Sequence, residues 1–443
     1  MSVYSEYLRF FLLDSFSGTR VLSNYRTMTD SFSWSRERLI EYQTQKLKAL
    51  LNHSFENVPY YKELFRKCGM VPGDIKDLDD LKLLPILTRD LLTDHYDLLS
   101  DTNNKYRVRI YGSSSGTTGI PVKYVHDGNC EGAGIAAGYA LYSLSGWRMG
   151  SRRLHIWGNP SSVAKWKRSS SRLKRLILNQ RNYPSYLLND PENYNGLLSF
   201  INEFKPEFID GYAGPIGSFA CWLREKNITI KGVKAVFTTA ENLIYTHRSA
   251  ITEVIAPVSD LYGSGEINGI AIQPVFSDKY YILGSHVIVE QEDFNDSSAL
   301  VVTDLDSRLM PFIRYRIGDV IDALHKPHNS EALPFDHFNF IDGRIADFIK
   351  LPNGIVIHPI NILGGTYLRK YPEIRRHRVV WDGSVLDFVL ELSGRIDMVS
   401  LQKAIQENLS HYDVSFKITV KDRLESAANG KFRYIEINDL SVK

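Results

Sequence analysis

Cysteine is scarce in this chain. Three occur in 443 residues, Cys68, Cys130 and Cys221, far apart and with no Cys-x-x-Cys pair. That excludes a zinc ribbon and a disulfide framework, and it fits a reducing, cytoplasmic setting. Long apolar runs are also missing, so no membrane span is expected. The opening MSVYSEYLRFFLLDSFSG lacks a basic leader, and Glu6, Arg9 and Asp14 interrupt its apolar residues, which makes it a poor signal peptide. Two readings of it stand: a helix packed on its own domain, or an amphipathic helix that touches a membrane surface or a partner. Charge of one sign is lacking as well. Fifty-three Lys+Arg against 51 Asp+Glu leave +2, which gives no ground to expect nucleic acid. The nucleotide P-loop pattern of Gly, four residues and Gly-Lys-Ser/Thr does not occur, nor does an internal repeat.

What is present is an ordinary globular composition, 43% hydrophobic and 23% charged, in a chain long enough for two or three domains. Residues 35–68 read as helical, with a second helix that Pro59 starts and Gly69 ends. RVRIYG, at 107–112, alternates like a strand, and GNCEGAGIAAGYALYSLSG is small, apolar and helical in character. From 205 to 302 strand-like runs alternate with helical ones, which argues for α/β units with parallel strands. Near 342 the pattern changes to a compact α+β piece. The expected fold is α/β: a large N-terminal domain with parallel sheets, residues 1–342, and a small mobile C-terminal α+β domain, 343–443, hinged near 344–347.

One stretch stands apart. YGSSSGTTGIPVKY, at 111–124, is rich in Gly, Ser and Thr and is expected to lie between a strand and a helix. It is either a plain surface loop or a loop that wraps an anion. Its backbone N–H groups can form a concave donor site, its hydroxyls add donors, and a following helix would offer its positive end.

SSSGTTGIP resembles the phosphate loop of the adenylate-forming superfamily: acyl-CoA synthetases, nonribosomal-peptide adenylation domains and luciferases. Five further segments resemble its motifs in order: FTTAENL (237–243), LYGSGE (261–266), YRIGD (315–319), GRIADFIK (343–350) and NGK (429–431). NVPYYKELFRKCGMVPGDIKDLDDLKLLPILTRDLL resembles the phenylacetate–CoA ligase branch, which includes capsular-polysaccharide-biosynthesis proteins. The resemblance implies an ATP-dependent ligase. A carboxylate attacks the α-phosphate of ATP, pyrophosphate leaves, and the acyl-AMP passes its acyl group to CoA or to an amine or hydroxyl of a sugar. A scaffold of polysaccharide assembly without catalysis is the third reading.

On the same footing, Ser113, Ser114, Ser115, Gly116, Thr117, Thr118 and Gly119 are expected to hold the β- and γ-phosphates. Glu266 is expected to ligate Mg²⁺, which favours one or two carboxylates plus phosphate oxygens. Ala240 and Glu241 fall on the adenine side. Tyr262, followed by Gly263, would stack on adenine or act as an aromatic wedge in the core. Asp319 would accept the ribose hydroxyls, and Arg316 and Arg344 would sit near ribose or phosphate. Lys431 would bridge the carboxylate and the α-phosphate. Lys123 is either a phosphate contact or a surface lysine. Two departures stand out: Gly265 where a Thr or Ser is usual, and Ala346 in the hinge. The acyl pocket is expected near Gly134–Gly138, Tyr212, Ala213 and Gly263–Asn268, with Asn268 or Asp210 as a polar anchor. KWKRSSSRLKR (165–175) reads as a solvated basic face or a grip for an anionic partner, and His325, His328 and His337 as a weak metal candidate.

Overall fold

The computed structural model describes residues 3–103, 105–114, 122–158, 169–294, 297–328, 331–351, 353, 355–357, 370–371, 373–410, 412, 414–425 and 432–438. The chain forms two compact units, Met1–Ser151 with Ser259–Ile341 and Arg152–Val258 with Asp342–Lys443. The fold is mixed α/β with a parallel run of strands, as expected.

With helices and strands numbered in chain order, the first unit opens with α1 (Val3–Ser17), α2 (Val21–Asp30), α3 (Arg36–Asn57), α4 (Pro59–Cys68) and α5 (Arg89–Asp94). The Ser35 side chain caps α3 by accepting from the Arg38 N–H, and Leu39, Leu47, Leu50 and Leu51 form its buried stripe. Pro59 starts α4 and Gly69 closes it, as the sequence indicates. An antiparallel hairpin follows, β1 (Arg109–Ser114) and β2 (Val122–Asp127), and then α6 (Gly128–Ser143). The same unit holds an antiparallel run β7 (Val258–Tyr262), β8 (Ala271–Gln273), β9 (Tyr280–Ile282) and β13 (His337–Phe338). It also holds the antiparallel group β10 (Val287–Phe294), β11 (Ser297–Asp304) and β12 (Tyr315–Ile321). Leu47, Leu50, Phe65, Leu84, Ile270, Val302 and Phe312 share its core.

The hairpin corrects one expectation. The Gly/Ser/Thr stretch joins two strands rather than a strand and a helix, because VKYVHD is itself a strand, paired from Ser114↔Val122 to Arg109↔Asp127. Helix α6 therefore begins at the open end of the hairpin. The six residues of β2, at about 3.4 Å each, separate the start of α6 from Ser114↔Val122, so the helix does not directly follow the stretch as expected.

In the second unit β3 (Arg153–Trp157), β4 (Gln180–Pro184), β5 (Phe208–Tyr212) and β6 (Ala235–Thr239) run parallel in the order β4–β3–β5–β6. Helices α7 (Ser169–Leu178), α8 (Tyr194–Phe204), α9 (Ala213–Glu225) and α10 (Tyr245–Val254) alternate with them. Leu154, Ile156, Ile209 and Val236 project from one face of this sheet into a core shared with Ile201, Phe219 and Ile251. After β14 (Ile341–Arg344), a two-stranded hairpin of β15 (Ile349–Lys350) and β16 (Val356–Ile357) leads to a four-stranded sheet. That sheet has the order β19–β18–β17–β20, from β17 (Ile374–Trp381), β18 (Val385–Leu392), β19 (Ser415–Lys421) and β20 (Ile435–Ile437). Helix α11 (Met398–Leu409) shares a core with it through Leu401, Ile405 and Leu409. Within this unit the buried Arg376 donates to Ser218 Oγ at 2.9 Å and to the Leu424 carbonyl at 3.1 Å, so the C-terminal sheet is tied to α9.

Candidate functional site

The first unit gathers two of the motif segments around buried oxygens. Tyr262 ends β7, and its hydroxyl donates to Asp319 Oδ2 on β12 at 2.7 Å. Both residues are buried, and the Tyr262 ring meets Phe338 edge-on at 5.9 Å. Tyr262 is thus part of the core and orients the carboxylate that the sequence assigns to ribose. After Tyr262 the chain turns tightly. The Ser264 N–H reaches the Ile267 carbonyl at 2.8 Å, and the Ile267 N–H returns to Ser264 Oγ at 3.1 Å. Gly263 sits inside this turn, where a Cβ would lie 2.9 Å from the Gly269 nitrogen.

Glu266 is 4% exposed. Among the described residues its side chain receives one hydrogen bond, a long one of 3.4 Å from the Tyr315 hydroxyl. A buried carboxylate with so little donor support has oxygens to spare for a cation. Burial, followed by the charge of Glu266, pushes the Tyr315 phenol well above its ordinary value, so it stays a donor.

Tyr124 on β2 is the residue that sequence reasoning missed. Its ring lies across Gly112, the residue opposite it in the hairpin, where a Cβ would come within 2.2 Å of the ring. Its hydroxyl stands 2.9 Å from where a Cβ on Gly265 would begin. The departure at 265 therefore has a physical cause: a Thr or Ser there would displace Tyr124, whose own hydroxyl occupies that space. The signal was in the sequence, as an aromatic residue directly after Lys123, but its glycine partners are visible only once the strands pair. Burial, then the negative charge of Glu266, raises the Tyr124 phenol to about 12. Next to it, His126 Nε2 lies 2.9 Å from the Glu266 carbonyl and Nδ1 3.5 Å from Glu131. Burial opposes the charged ring, but the Glu131 carboxylate, Asp304 and the Glu266 carbonyl outweigh it and the pKa is raised.

The remaining expectations in this unit are placed as follows. Ser113 is exposed on β1, opposite an exposed Lys123 on β2. Ser114 ends β1; Ser115, Gly116, Thr117, Thr118 and Gly119 lie outside the described residues. Arg316 is held by a bidentate pair with Glu292, at 2.7 and 2.5 Å, so its guanidinium is already engaged. Gly134 faces Asn268, with 3.3 Å between its would-be Cβ and the Asn268 Cβ, and the Asn268 carbonyl lies 3.1 Å from His286 Nε2. His325 and His337 stack at 5.4 Å, with His325 Nε2 3.3 Å from Asp322. The structure instead brings together His286, Asp304 and Asp306. The Lys46 ammonium pairs with Asp306, so that cluster already contains its own cation.

In the second unit Glu241 is the organising residue. Ala240, just after β6, takes a left-handed φ of 69° and half-buries itself. Glu241 then accepts from the Gly214 N–H at the start of α9 at 2.8 Å, and from the Phe432 N–H at 3.1 Å. Gly214 admits the carboxylate because a Cβ there would lie 2.5 Å from Oε2. Phe432 follows Lys431, which lies outside the described residues. Arg344 ends β14, and Ala346 lies in the single 3₁₀ turn Ile345–Asp347. Asp210, offered above as a polar anchor, is bound by its own sheet: His155 Nδ1 is 2.6 Å away and Arg153 Nε 3.5 Å. Burial opposes its charge, yet Arg153 and His155 hold its carboxyl below the ordinary value. The Tyr212 and Trp157 rings pack at 4.1 Å. Of the basic stretch, Lys165, Lys167 and Arg168 lie outside the described residues, and Arg172, Lys174 and Arg175 fall on α7.

No family model matches the chain. Among curated proteins it is similar to "Protein CapK" of Staphylococcus aureus, 22% identical over 403 residues that cover 89% of this chain and 88% of that protein. It is also similar to the phenylacetate-coenzyme A ligase of Escherichia coli K12, 27% identical over 358 residues, 73% of this chain and 75% of the ligase. Among solved structures it matches 2-hydroxyisobutyryl-CoA ligase in its postadenylation state, with a TM-score of 0.72, 17% identity and coverage of 93% and 92%. That last likeness is one of fold.

Proposed function

From the premise that the chain is a member of the adenylate-forming superfamily, in its phenylacetate–CoA ligase-like branch, we propose that it is an ATP-dependent, AMP-forming acid ligase. It activates a carboxylic acid as acyl-AMP and transfers the acyl group to CoA. The observation that carries this is the meeting of LYGSGE and YRIGD: Tyr262 hydrogen-bonded to Asp319, with Glu266 buried beside Tyr315 and short of donors.

Each residue then has a task. Glu266 would hold Mg²⁺, and its thin donor set fits that role; the bound ion would neutralise charge on the nucleotide phosphates. Asp319, oriented by Tyr262, accepts the ribose hydroxyls. Tyr124 offers a neutral hydroxyl where the usual Thr or Ser is absent, and its raised pKa keeps it a donor. The loop at 113–119 receives the β- and γ-phosphates, and Lys431 counters charge at the α-phosphate and the attacking carboxylate. Residues 343–443 act as a small domain that turns about 344–347 between the two half-reactions. CoA is the favoured acceptor, since the ligases among its relatives carry that name. A sugar amine or hydroxyl, within surface-polysaccharide assembly, is the finer alternative, and the same assay reads it.

The test is ATP–pyrophosphate exchange with Mg²⁺ across a panel of aryl, fatty, amino and sugar acids, first without CoA, then with CoA or amino sugars and detection of AMP. Exchange with one acid class names the substrate, and the added acceptor that releases AMP names the second step. ATP binding without exchange for any acid would favour a scaffold. Tyr124→Phe should lower exchange about tenfold with little change in stability; unchanged exchange would remove Tyr124 from the site.

A further inference from the structure

The open end of the β1–β2 hairpin carries a feature that adenylation does not use. A cavity of about 770 Å³ lies there, entirely within the first unit. Four of its lining residues are Arg20, Lys105, Arg107 and Arg308, and among the described residues the one lining carboxylate is Asp127. That carboxylate is already engaged: Oδ1 caps α6 through the Asn129 and Cys130 N–H groups at 2.7 and 3.1 Å, and Oδ2 accepts from the Leu309 N–H at 3.2 Å. Lys105 leans on Asp101 at 3.3 Å. Arg20, Arg107 and Arg308 make no ion pair among the described residues, and Arg20 and Arg107 are exposed. The cavity therefore has a surplus of positive charge and little carboxylate to cancel it.

A second observation lies on the neighbouring helix. Ser15 of α1 lines the same cavity. Leu8 and Phe11 precede it at positions seven and four residues earlier, so the three fall on one helical stripe. Leu8 is 58% and Phe11 60% exposed, although both are large apolar side chains. An apolar stripe that ends at a cationic cavity matches a lipid surface: acyl chains for the stripe, an anionic headgroup for the cavity. A soluble anion alone would give Leu8 and Phe11 nothing to do. No helix among the described residues is long and apolar enough to cross a membrane, so the contact is peripheral.

We propose that this face docks on an anionic lipid surface, with a headgroup phosphate in the cavity between Arg20, Arg107 and Arg308 and with Leu8 and Phe11 entering the interfacial layer. The experiment is co-sedimentation of the purified full chain with vesicles of phosphatidylglycerol and phosphatidylcholine, compared with phosphatidylcholine alone. Binding is expected only where the anionic lipid is present, and it should weaken as salt is added. Arg20→Gln and Arg107→Gln should each weaken it roughly fivefold. Leu8→Ser and Phe11→Ser should weaken it several-fold while nucleotide exchange stays unchanged, since none of these residues belongs to the nucleotide machinery. Circular dichroism melts of each variant report whether it is folded. Equal binding to neutral vesicles, no binding to either, or full binding by the double variant R20Q/R107Q would overturn the proposal. Full vesicle binding by Leu8→Ser and Phe11→Ser, together with displacement by free inorganic phosphate, would also overturn it and assign the cavity to a soluble phosphate ester.

Discussion

In the first unit, His126 lies beside Glu131, and His286 lies 2.8 Å from Asp306 with its other nitrogen 3.1 Å from the Asn268 carbonyl. In the second unit, His247 has no hydrogen-bond partner at either ring nitrogen among the described residues, and His377 has none at Nδ1. All four are buried, yet they move in opposite directions. Burial works against charge on His126 and His286, but nearby carboxylates prevail and both pKa values rise. For His247, burial and then the charges of Arg376, His377 and Arg224 push the value down to about 3, and burial alone takes His377 down to about 4. The lesson is that burial by itself does not decide a histidine's state; the carboxylate beside it does. One carboxylate from each unit, Glu241 in the second and Glu266 in the first, differs in the same way. Glu241 is spent on backbone donors, whereas among the described residues Glu266 receives a single long hydrogen bond.

If that contrast is functional, Glu266→Gln should reduce ATP–pyrophosphate exchange by about a hundredfold or more, with a melting temperature close to the parent's. An equal loss in Glu241→Gln with no loss of stability would erase the distinction between the two carboxylates.

The next largest effect is on acid stability. Because His247 and His377 have folded values far below the unfolded value of about 6.5, their contribution is present in full above pH 6.5. It is withdrawn as pH falls from there toward about 4 and about 3. Between pH 6.5 and 5 this amounts to about 2 kcal/mol per histidine. His126 and His286 have the reverse sign. Their raised values contribute below the unfolded value, and that contribution is lost as pH rises through the folded one. Hydrogen exchange on peptides from each unit should therefore show protection in the second unit falling on acidification, and His247→Leu should remove about half of that sensitivity. Uniform loss in both units, unaffected by His247→Leu, would break the comparison.

A smaller effect is expected at Glu241 itself. Glu241→Gln replaces charge-assisted bonds to Gly214 and Phe432 with weaker ones and should cost about 1–2 kcal/mol in urea unfolding. The smallest is His126→Gln, which forfeits a bond to the Glu266 carbonyl worth about 1 kcal/mol. Its melting curve should shift by a few degrees at most, with exchange activity largely kept.

Much of this architecture could be read along the chain. Helices α3 and α4 follow from Ser35, Pro59 and Gly69 and from an apolar stripe. The parallel strands follow from short apolar runs alternating with helices, and the motif order follows from residues 113–119, 237–243, 261–266 and 315–319. β2 could not be read in the same way, because Val122–Asp127 follows a polar loop and runs directly into α6, so no turn residues mark it off. Nor could Tyr124 be assigned, since the two glycines that make room for it, Gly112 and Gly265, are remote from it in sequence or meaningful only across a hairpin.

The sequence by itself determined which oxygens and cations the chain has to offer, in what order, and on which kind of element each falls, because periodicity and capping are local properties of neighbouring residues. Tertiary structure decided which of those groups are already engaged. Arg316 is taken by Glu292, Asp210 by His155 and Arg153, and Glu241 by two backbone donors, whereas Tyr262 and Asp319, 57 residues apart, meet at 2.7 Å. A hydrogen bond or ion pair acts only over a few ångströms, so the partner of a buried charge is fixed by the packing of the strands and helices and not by distance along the chain.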